Sequence, residues 1–279
     1  MDYLKFFKLF KKETKKGLPS SFKVGELVIY DLNPLGGMFK KGVTKAGRIS
    51  LAGTLNNGKK VKVYESSNPN QIKLRKILGD QLNNEDILLP SILTYDENFI
   101  VEEWIGGTSF SQLKPKFLNE YSEKFINFMN KIHYDIKFNK IADLYQDSFC
   151  YLSDYLVMRL KPWQNWAPVR TLLEEWEKSN LETEQLIKAR ISHPDLSLSN
   201  IILSQDNRIY IVDNELIGSG KGWLLDERNS FFREKVISPK FRNPTKNFFE
   251  LSWKLRLVGS AIDQGDFYRA ERMADLKRI

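Results

Sequence analysis

The residues of this chain best suited to chemistry lie in one stretch. It runs His193-Pro194-Asp195-Leu196-Ser197-Leu198-Ser199-Asn200, then Ile201-Ile202-Leu203, a polar turn, and Ile209 through Asp213-Asn214-Glu215. The pattern reads as a polar loop between extended runs, then a short hairpin, with Asp213 at the end of an apolar strand. A carboxylate such as Asp195 can orient a hydroxyl and accept its proton, while oxygen donors hold Mg2+ against phosphate groups. Asn200 offers a neutral oxygen and Asp213 a charged one, a set that suits a hard cation keeping several waters. These are the few groups that phosphoryl transfer needs, if the hairpin brings them together. The structural alternative is that His, Asp and Asn cap turns and helices. Their spacing, with a second acidic pair thirteen and fifteen residues after Asn200, weighs against it.

The elements that must position these residues follow from periodicity. Residues 24–105 read mainly as strands: 26–31, then 48–55 and 59–65 joined by Asn56-Asn57-Gly58. That tripeptide predicts a hairpin, because Asn and Gly tolerate positive φ. The spacing of Ile72, Leu74, Ile77 and Leu78 predicts a short helix over 71–82. Strands at 92–95 and 99–104 flank Asp96-Glu97-Asn98. After Gly106-Gly107 the chain reads as helices over 117–134, 144–160 and 169–189, with Trp163 and Trp166 in a proline-containing connection. Residues 191–213 return to extended structure, and helices resume from 225 and from 247, with Pro239 and Pro244 between them. The organisation is a sheet-rich front, a hinge near 104–107, and a helical rear carrying one short strand-rich insertion.

The segment from His193 to Glu215 resembles the catalytic loop of the protein-kinase-like superfamily, in its aminoglycoside phosphotransferase and choline kinase branch. Members carry a His-x-Asp-x4-Asn loop and a later Asp-x-Glu or Asp-x-Asp. The resemblance implies a bilobal α+β fold, with an N-lobe antiparallel sheet plus helix and a mainly helical C-lobe. It divides the chain into a basic N-terminal helix (1–17), an N-lobe (18–105) and a C-lobe (106–279). Asp195 becomes the catalytic base, Asn200 and Asp213 the Mg2+ ligands, and Glu215 an assistant at a second metal position. Val61-Lys62-Val63-Tyr64 resembles the strand whose lysine contacts the α- and β-phosphates of ATP. Strand parity together with the turn favours Lys62 over Lys59 and Lys60 as the inward residue. Phe99 to Gly107 resembles the adenine-holding strand and hinge, with the Glu103 carbonyl and the Ile105 amide as contacts. His193 and Asp226 are supporting residues, Asp226 bracing the loop from behind, and His133 is structural.

Three positions depart from the pattern. The helix after Lys62 should offer it a glutamate, yet Gln71 stands there, with Glu85 and Asp86 as substitutes in another register. Gly36-Gly37 and Gly42 occupy the region of the phosphate loop with a spacing that matches no firm pattern, and Pro194 replaces a small or basic residue. The region after Asp213 lacks the long segment ending in Ala-Pro-Glu of regulated protein kinases, and Ser197 stands where those enzymes usually place lysine. A small-molecule, sugar or glycan acceptor therefore fits better than a protein. Trp163, Trp166, Arg170 and Lys221, with Arg159 and Lys161, are candidates for its wall, since aromatics beside cations suit a sugar. The same side chains could instead seal a helix connection. Protein kinase and inactive binding module are the competing readings.

Composition sets the outer bounds. With 279 residues, 42% apolar and 28% charged, the chain can bury a large core and shows no sign of long disorder. One cysteine, Cys150, excludes an internal disulfide, and two histidines are too few for a histidine-rich metal centre. No apolar stretch approaches the roughly 20 residues of a spanning helix, and lysines interrupt the first apolar residues, so a cytosolic address is expected. Half of the +8 net charge falls in residues 1–16, an amphipathic pattern of aromatics and lysines. It fits either peripheral contact with an anionic membrane, at the inner membrane face, or docking on its own domain. Nucleic-acid binding is disfavoured, because no aromatic-studded basic motif occurs elsewhere.

Overall fold

In the computed structural model the described residues are 19–35, 50–66, 69–145, 160–184, 190–214, 217–220, 223–225, 231–236 and 246–275. The expectations placed on residues 1–17, on Gly36, Gly37 and Gly42, and on most of 144–160 lie outside them, as do Glu215, Lys221 and Asp226. The chain forms two compact units. One is built from the chain up to Pro69 with Pro90–Trp104, the other from Asn70–Leu89 with Ile105 onward. Residues 70–89, expected within the N-lobe, thus cluster with the second unit.

The first unit is a six-stranded antiparallel sheet in the order β1-β2-β3-β4-β7-β6. Its strands are β1 (Ser21–Val24), β2 (Leu27–Pro34), β3 (Ser50–Leu55), β4 (Lys60–Glu65), β6 (Ile92–Tyr95) and β7 (Phe99–Glu103). The Asn-Asn-Gly hairpin forms between β3 and β4, with Gly58 at φ +78° and the Lys59 amide donating to Asn57 Oδ1 at 3.0 Å. Alternation then sorts the side chains. Leu51, Val61, Val63, Phe99 and Val101 share an apolar cluster with Val24, Ile29 and Leu32. Gly53 lets β2 and β3 approach: a Cβ there would stand 2.3 Å from Ile29 Cγ2 and 2.9 Å from the Tyr30 carbonyl oxygen.

The second unit is mainly helical. Its helices are α1 (Pro69–Leu82), α2 (Pro115–Glu120), α3 (Ser122–Tyr134), α4 (Ile136–Leu144), α5 (Ala167–Glu184), α6 (Lys246–Asp263) and α7 (Phe267–Asp275). Two small sheets accompany them. One runs β5-β11-β10-β8, from Ile87–Leu88, Ile209–Ile211, Ile201–Ser204 and Gly107–Ser109. The other runs β12-β9-β13, from Gly218–Gly220, Arg190–Leu196 and Trp223–Leu225. One core gathers Leu74, Phe110, Phe125, Ile201, Ile211 and Phe232, and a second joins α5 to α6 and α7 through Trp176, Phe248, Trp253 and Val258. Trp176 Nε1 donates to Ser252 Oγ at 2.8 Å, which satisfies the indole inside that second core.

Three local expectations change. The helix over 117–134 is broken at Tyr121, where Ser122 Oγ donates to the Asn119 carbonyl and competes with the helical ladder. Helix α4 escapes the periodicity because Lys137, Asn139 and Lys140 interrupt its apolar stripe; Asp135 nonetheless caps it, accepting from the Lys137 amide at 2.9 Å. Where a helix was expected from 225, the chain ends strand β13 and later forms a π-helical turn at Phe231–Val236.

Candidate active site

In the second unit the candidate segment begins on β9, which contains His193 and, by its backbone, Asp195. That strand pairs antiparallel with β12, Ser192 opposite Gly218, and parallel with β13, His193 opposite Trp223 and Leu196 opposite Leu225. It is therefore held on both sides. His193 is fully buried. Burial pushes its imidazole down to about 4; the Asp213 carboxylate pulls the other way, and Arg256 and Arg75 lower it further. At neutral pH the imidazole is therefore held in its uncharged form.

A single 3-10 turn, Leu198–Asn200, leads from β9 into the β10–β11 hairpin. Ile201 faces Ile211, Ile202 faces Tyr210, and the Val212 amide donates to the Asn200 carbonyl at 2.9 Å. Asn200 and Asp213 consequently sit at the same open end of the hairpin. Asp213 has φ +67°, a left-handed conformation that Asp tolerates better than most residues and that ends the strand abruptly. Asn214, buried behind it, donates through Nδ2 to the Ile211 carbonyl at 2.7 Å and locks that turn.

Strand β8 fixes the other side of the hairpin. Ser109 faces Ile202 and its hydroxyl donates to the Leu198 carbonyl at 3.1 Å, so the turn that carries Asn200 is tied to the segment after Gly107. Gly107 is required by close approach: a Cβ would lie 2.2 Å from the Leu203 carbonyl oxygen. Sequence reasoning placed Gly106-Gly107 in a hinge and missed this contact; the strand pairing that reveals it spans almost a hundred residues.

In the first unit Lys62 is buried, whereas Lys59 and Lys60 are exposed. The Glu103 amide donates to the Ser91 carbonyl at 3.0 Å and its carboxylate accepts from the Ser91 amide at 3.0 Å, so the last residue of β7 is anchored by both. The Trp104 amide donates to the Lys60 carbonyl at 3.2 Å, which holds the end of that strand to β4. Ile105, the first residue of the second unit after this strand, is half-buried.

Gln71 belongs to the second unit, buried on α1, where Nε2 donates to the Ile217 carbonyl at 2.8 Å. Glu85 pairs with Lys131, and Asp86 with Lys124 at 2.9 Å. Gln71 and both of the acids considered for Lys62, Glu85 and Asp86, thus have partners within the second unit. Two residues that the sequence reading passed over lie beside Lys62 instead. Glu102 stands directly opposite it on β7, and Tyr64 follows it on the same face of β4.

Of the candidate acceptor residues, Trp163 and Trp166 are half-buried against Phe267, with ring centroids 5.1 and 6.0 Å away, and Arg170 is exposed. Trp166 also lines a cavity of about 480 Å³ together with Thr171, Glu175, Lys254, Glu271 and Asp275. The two tryptophans thus help seal α5 against α7, and one of them does so at the edge of a cavity. Among the described residues no group of three or more His, Cys, Asp and Glu side chains is arranged to hold a metal ion. No described helix is long and apolar enough to cross a membrane.

No protein-family profile matches the sequence, and no curated protein matches it. Solved structures do match in three dimensions. APH(2")-IIia, in complex with GDP and kanamycin, superimposes with a TM-score of 0.57 at 11% identity, over 98% of this chain and 97% of that one. A thermostable mutant of the aminoglycoside phosphotransferase APH(4)-Ia, in ternary complex with AMP-PNP and hygromycin B, gives 0.55 at 12% identity, over 96% and 97%. The fold is that of the aminoglycoside phosphotransferases. LicA in complex with AMP gives a TM-score of 0.50 at 14% identity, over 96% of each chain. The α+β kinase-like architecture expected from the sequence is thereby borne out, with near-complete coverage and very low identity.

Proposed function

We propose that this protein is an ATP-dependent phosphotransferase that passes the γ-phosphate to a hydroxyl of a small molecule, sugar or glycan. The observation that carries the reading is the closure of the β10–β11 hairpin. It puts Asn200 and Asp213 at one end, directly after the strand that holds Asp195. A neutral amide oxygen beside a carboxylate is a donor set that fits Mg2+, which takes few protein ligands and keeps its waters. In this reading Asn200 and Asp213 would hold the ion, which would supply positive charge against the phosphates. Asp195 accepts the acceptor hydroxyl's proton, and Glu215 assists the metal. Lys62 meets the α- and β-phosphates, and the Glu103 carbonyl and Ile105 amide hold the base. His193, neutral and buried, supports the loop and Asp226 braces it.

The neighbours that share the fold were solved with nucleotides and with kanamycin or hygromycin B, which favours a small hydroxyl-bearing acceptor over a protein. Trp163, Trp166, Arg170 and Lys221 remain its proposed wall. The reading is tested by incubating the protein with labelled ATP, Mg2+ and a panel of sugars, glycans and other polyols. Transfer is expected, and Asp195→Asn should lower it by about a hundredfold or more, the scale of a lost general base. An Asp195→Asn protein that transfers phosphate as well as the parent removes Asp195 from the role.

A further inference from the structure

We infer that Glu102 is the positioning residue for Lys62, supplying from the neighbouring strand the negative charge that Gln71 does not. The inference rests on the reading of Lys62 as the phosphate-contacting lysine and names the group that orients it.

The register makes the pairing. In the antiparallel ladder between β4 and β7, Lys62 and Glu102 are direct Cα partners. Side chains opposite one another in such a ladder emerge on the same face with their Cβ atoms about 5 Å apart, within reach of an ammonium and a carboxylate. On its other side Lys62 faces Ala52, which carries no charge. Both members of the pair are inside the protein: Lys62 is 8% exposed and Glu102 is 1% exposed. A buried carboxylate and a buried ammonium are each costly alone, and adjacent placement lets each offset the desolvation of the other.

Tyr64 organises the pair. Its hydroxyl donates to Glu102 Oε2 at 3.3 Å, while the Lys62 ammonium lies 5.5 Å from the centre of its ring. One tyrosine therefore touches the carboxylate with its polar end and the lysine with its π face, a cation–π distance that adds to the hold. The other acids that sequence reading offered are engaged elsewhere, Glu85 with Lys131 and Asp86 with Lys124. Glu102 also directly precedes Glu103, so the strand that would present the base-binding carbonyl is the one that orients the lysine.

The test compares the full-length protein with Lys62→Met, Glu102→Gln, Glu102→Asp, Glu85→Gln and the double variant Lys62→Met/Glu102→Gln. The first readout needs no nucleotide. In urea unfolding the two substitutions should couple, the double variant unfolding at least about fivefold less readily than the product of the single effects requires. Additive effects overturn the pair. The second readout is the Kd for ATP with Mg2+. Glu102→Gln should weaken it about tenfold, Glu102→Asp should recover part of that loss, and Glu85→Gln should leave it unchanged. A Glu102→Gln protein that binds as tightly as the parent overturns the positioning role. Coupled unfolding in a parent that takes up no nucleotide supports the pair and sinks the phosphotransferase reading. Uncoupled unfolding with tight nucleotide binding does the reverse.

Discussion

A buried lysine and glutamate of the first unit contrast with the two buried histidines of the second, which also buries Arg75. In the first, Lys62 and Glu102 go inside side by side, on the sheet face that does not carry the apolar cluster of Val61, Val63 and Val101. In the second, His133 and His193 go inside as neutral rings, pushed down by burial to about 3 and about 4. Opposite charges held together keep a charge available for binding, at a desolvation cost that only their proximity offsets. Neutral imidazoles avoid that cost and serve packing and backbone geometry.

The largest expected break in that contrast comes from acid. Both histidines have folded-state values below the ordinary 6.5 of an unfolded chain, so the unfolded protein binds protons that the folded one refuses. Their contribution is complete above about pH 6.5 and is lost as the pH falls toward 4 and below. Each is worth on the order of 3–5 kcal/mol across that window, comparable with the whole net stability of many domains. Because the chain's two histidines, His133 and His193, both lie in the second unit, that unit should lose hydrogen-exchange protection first between pH 7 and 4.5. Amides of β9 and α3 would open while those of β4 and β7 stay protected. Equal loss in both units, or a stability that is flat with pH, would undo the distinction.

A smaller effect separates backbone fit from conformational freedom. Gly107→Ala puts a methyl group 2.2 Å from a carbonyl oxygen of β10 on a residue already at φ +154°, so it meets a clash in addition to backbone strain. A loss of about 1–3 kcal/mol is expected, the usual cost of overpacking. Gly58→Ala in the first unit meets nothing within 4 Å and bears only the strain of φ +78°. That costs nearer 1 kcal/mol, the penalty of a left-handed residue with a side chain. Thermal unfolding of the two variants should rank them in that order. If Gly58→Ala were the worse, the hairpin of the second unit would be less rigid than its contacts imply.

What the sequence disclosed follows the same division. The geometry of the His193 to Asp213 segment was legible because it is local: a loop and a hairpin bring Asn200 and Asp213 to one end over a dozen residues. The strands around Asn56-Asn57-Gly58 were legible because turn chemistry fixes their register. Glu102 was not, since its meaning lies in a pairing with Lys62 forty residues away, and a one-residue slip would turn it to the other face. Gly107 hid for the same reason. The break at Tyr121 and the cap at Asp135 were lost in apolar spacing that looked continuous on one side and too sparse on the other. Gln71 was identified as a departure, but its actual partner, the Ile217 carbonyl, is a long-range contact that no local pattern encodes.

The smallest effect concerns two lysines three residues apart. Lys59 lies 3.8 Å from Glu103, with side chains 47% and 24% exposed, whereas Lys62 is buried beside Glu102. A solvent-exposed pair at that distance is screened and loses side-chain entropy on forming, so Lys59→Met should shift stability by less than about 0.5 kcal/mol. Removing Lys62 instead changes the charge balance inside the protein beside a buried carboxylate, which is the costlier change. Urea unfolding of the two methionine variants under identical salt measures the difference directly. Raising the salt should erase what little the Lys59 pair contributes and leave the Lys62 effect almost untouched, because ions screen exposed charges far better than buried ones. A Lys59→Met variant as damaging as Lys62→Met would mean that parity along β4 does not select the functional lysine, and the assignment of Lys62 would have to be withdrawn.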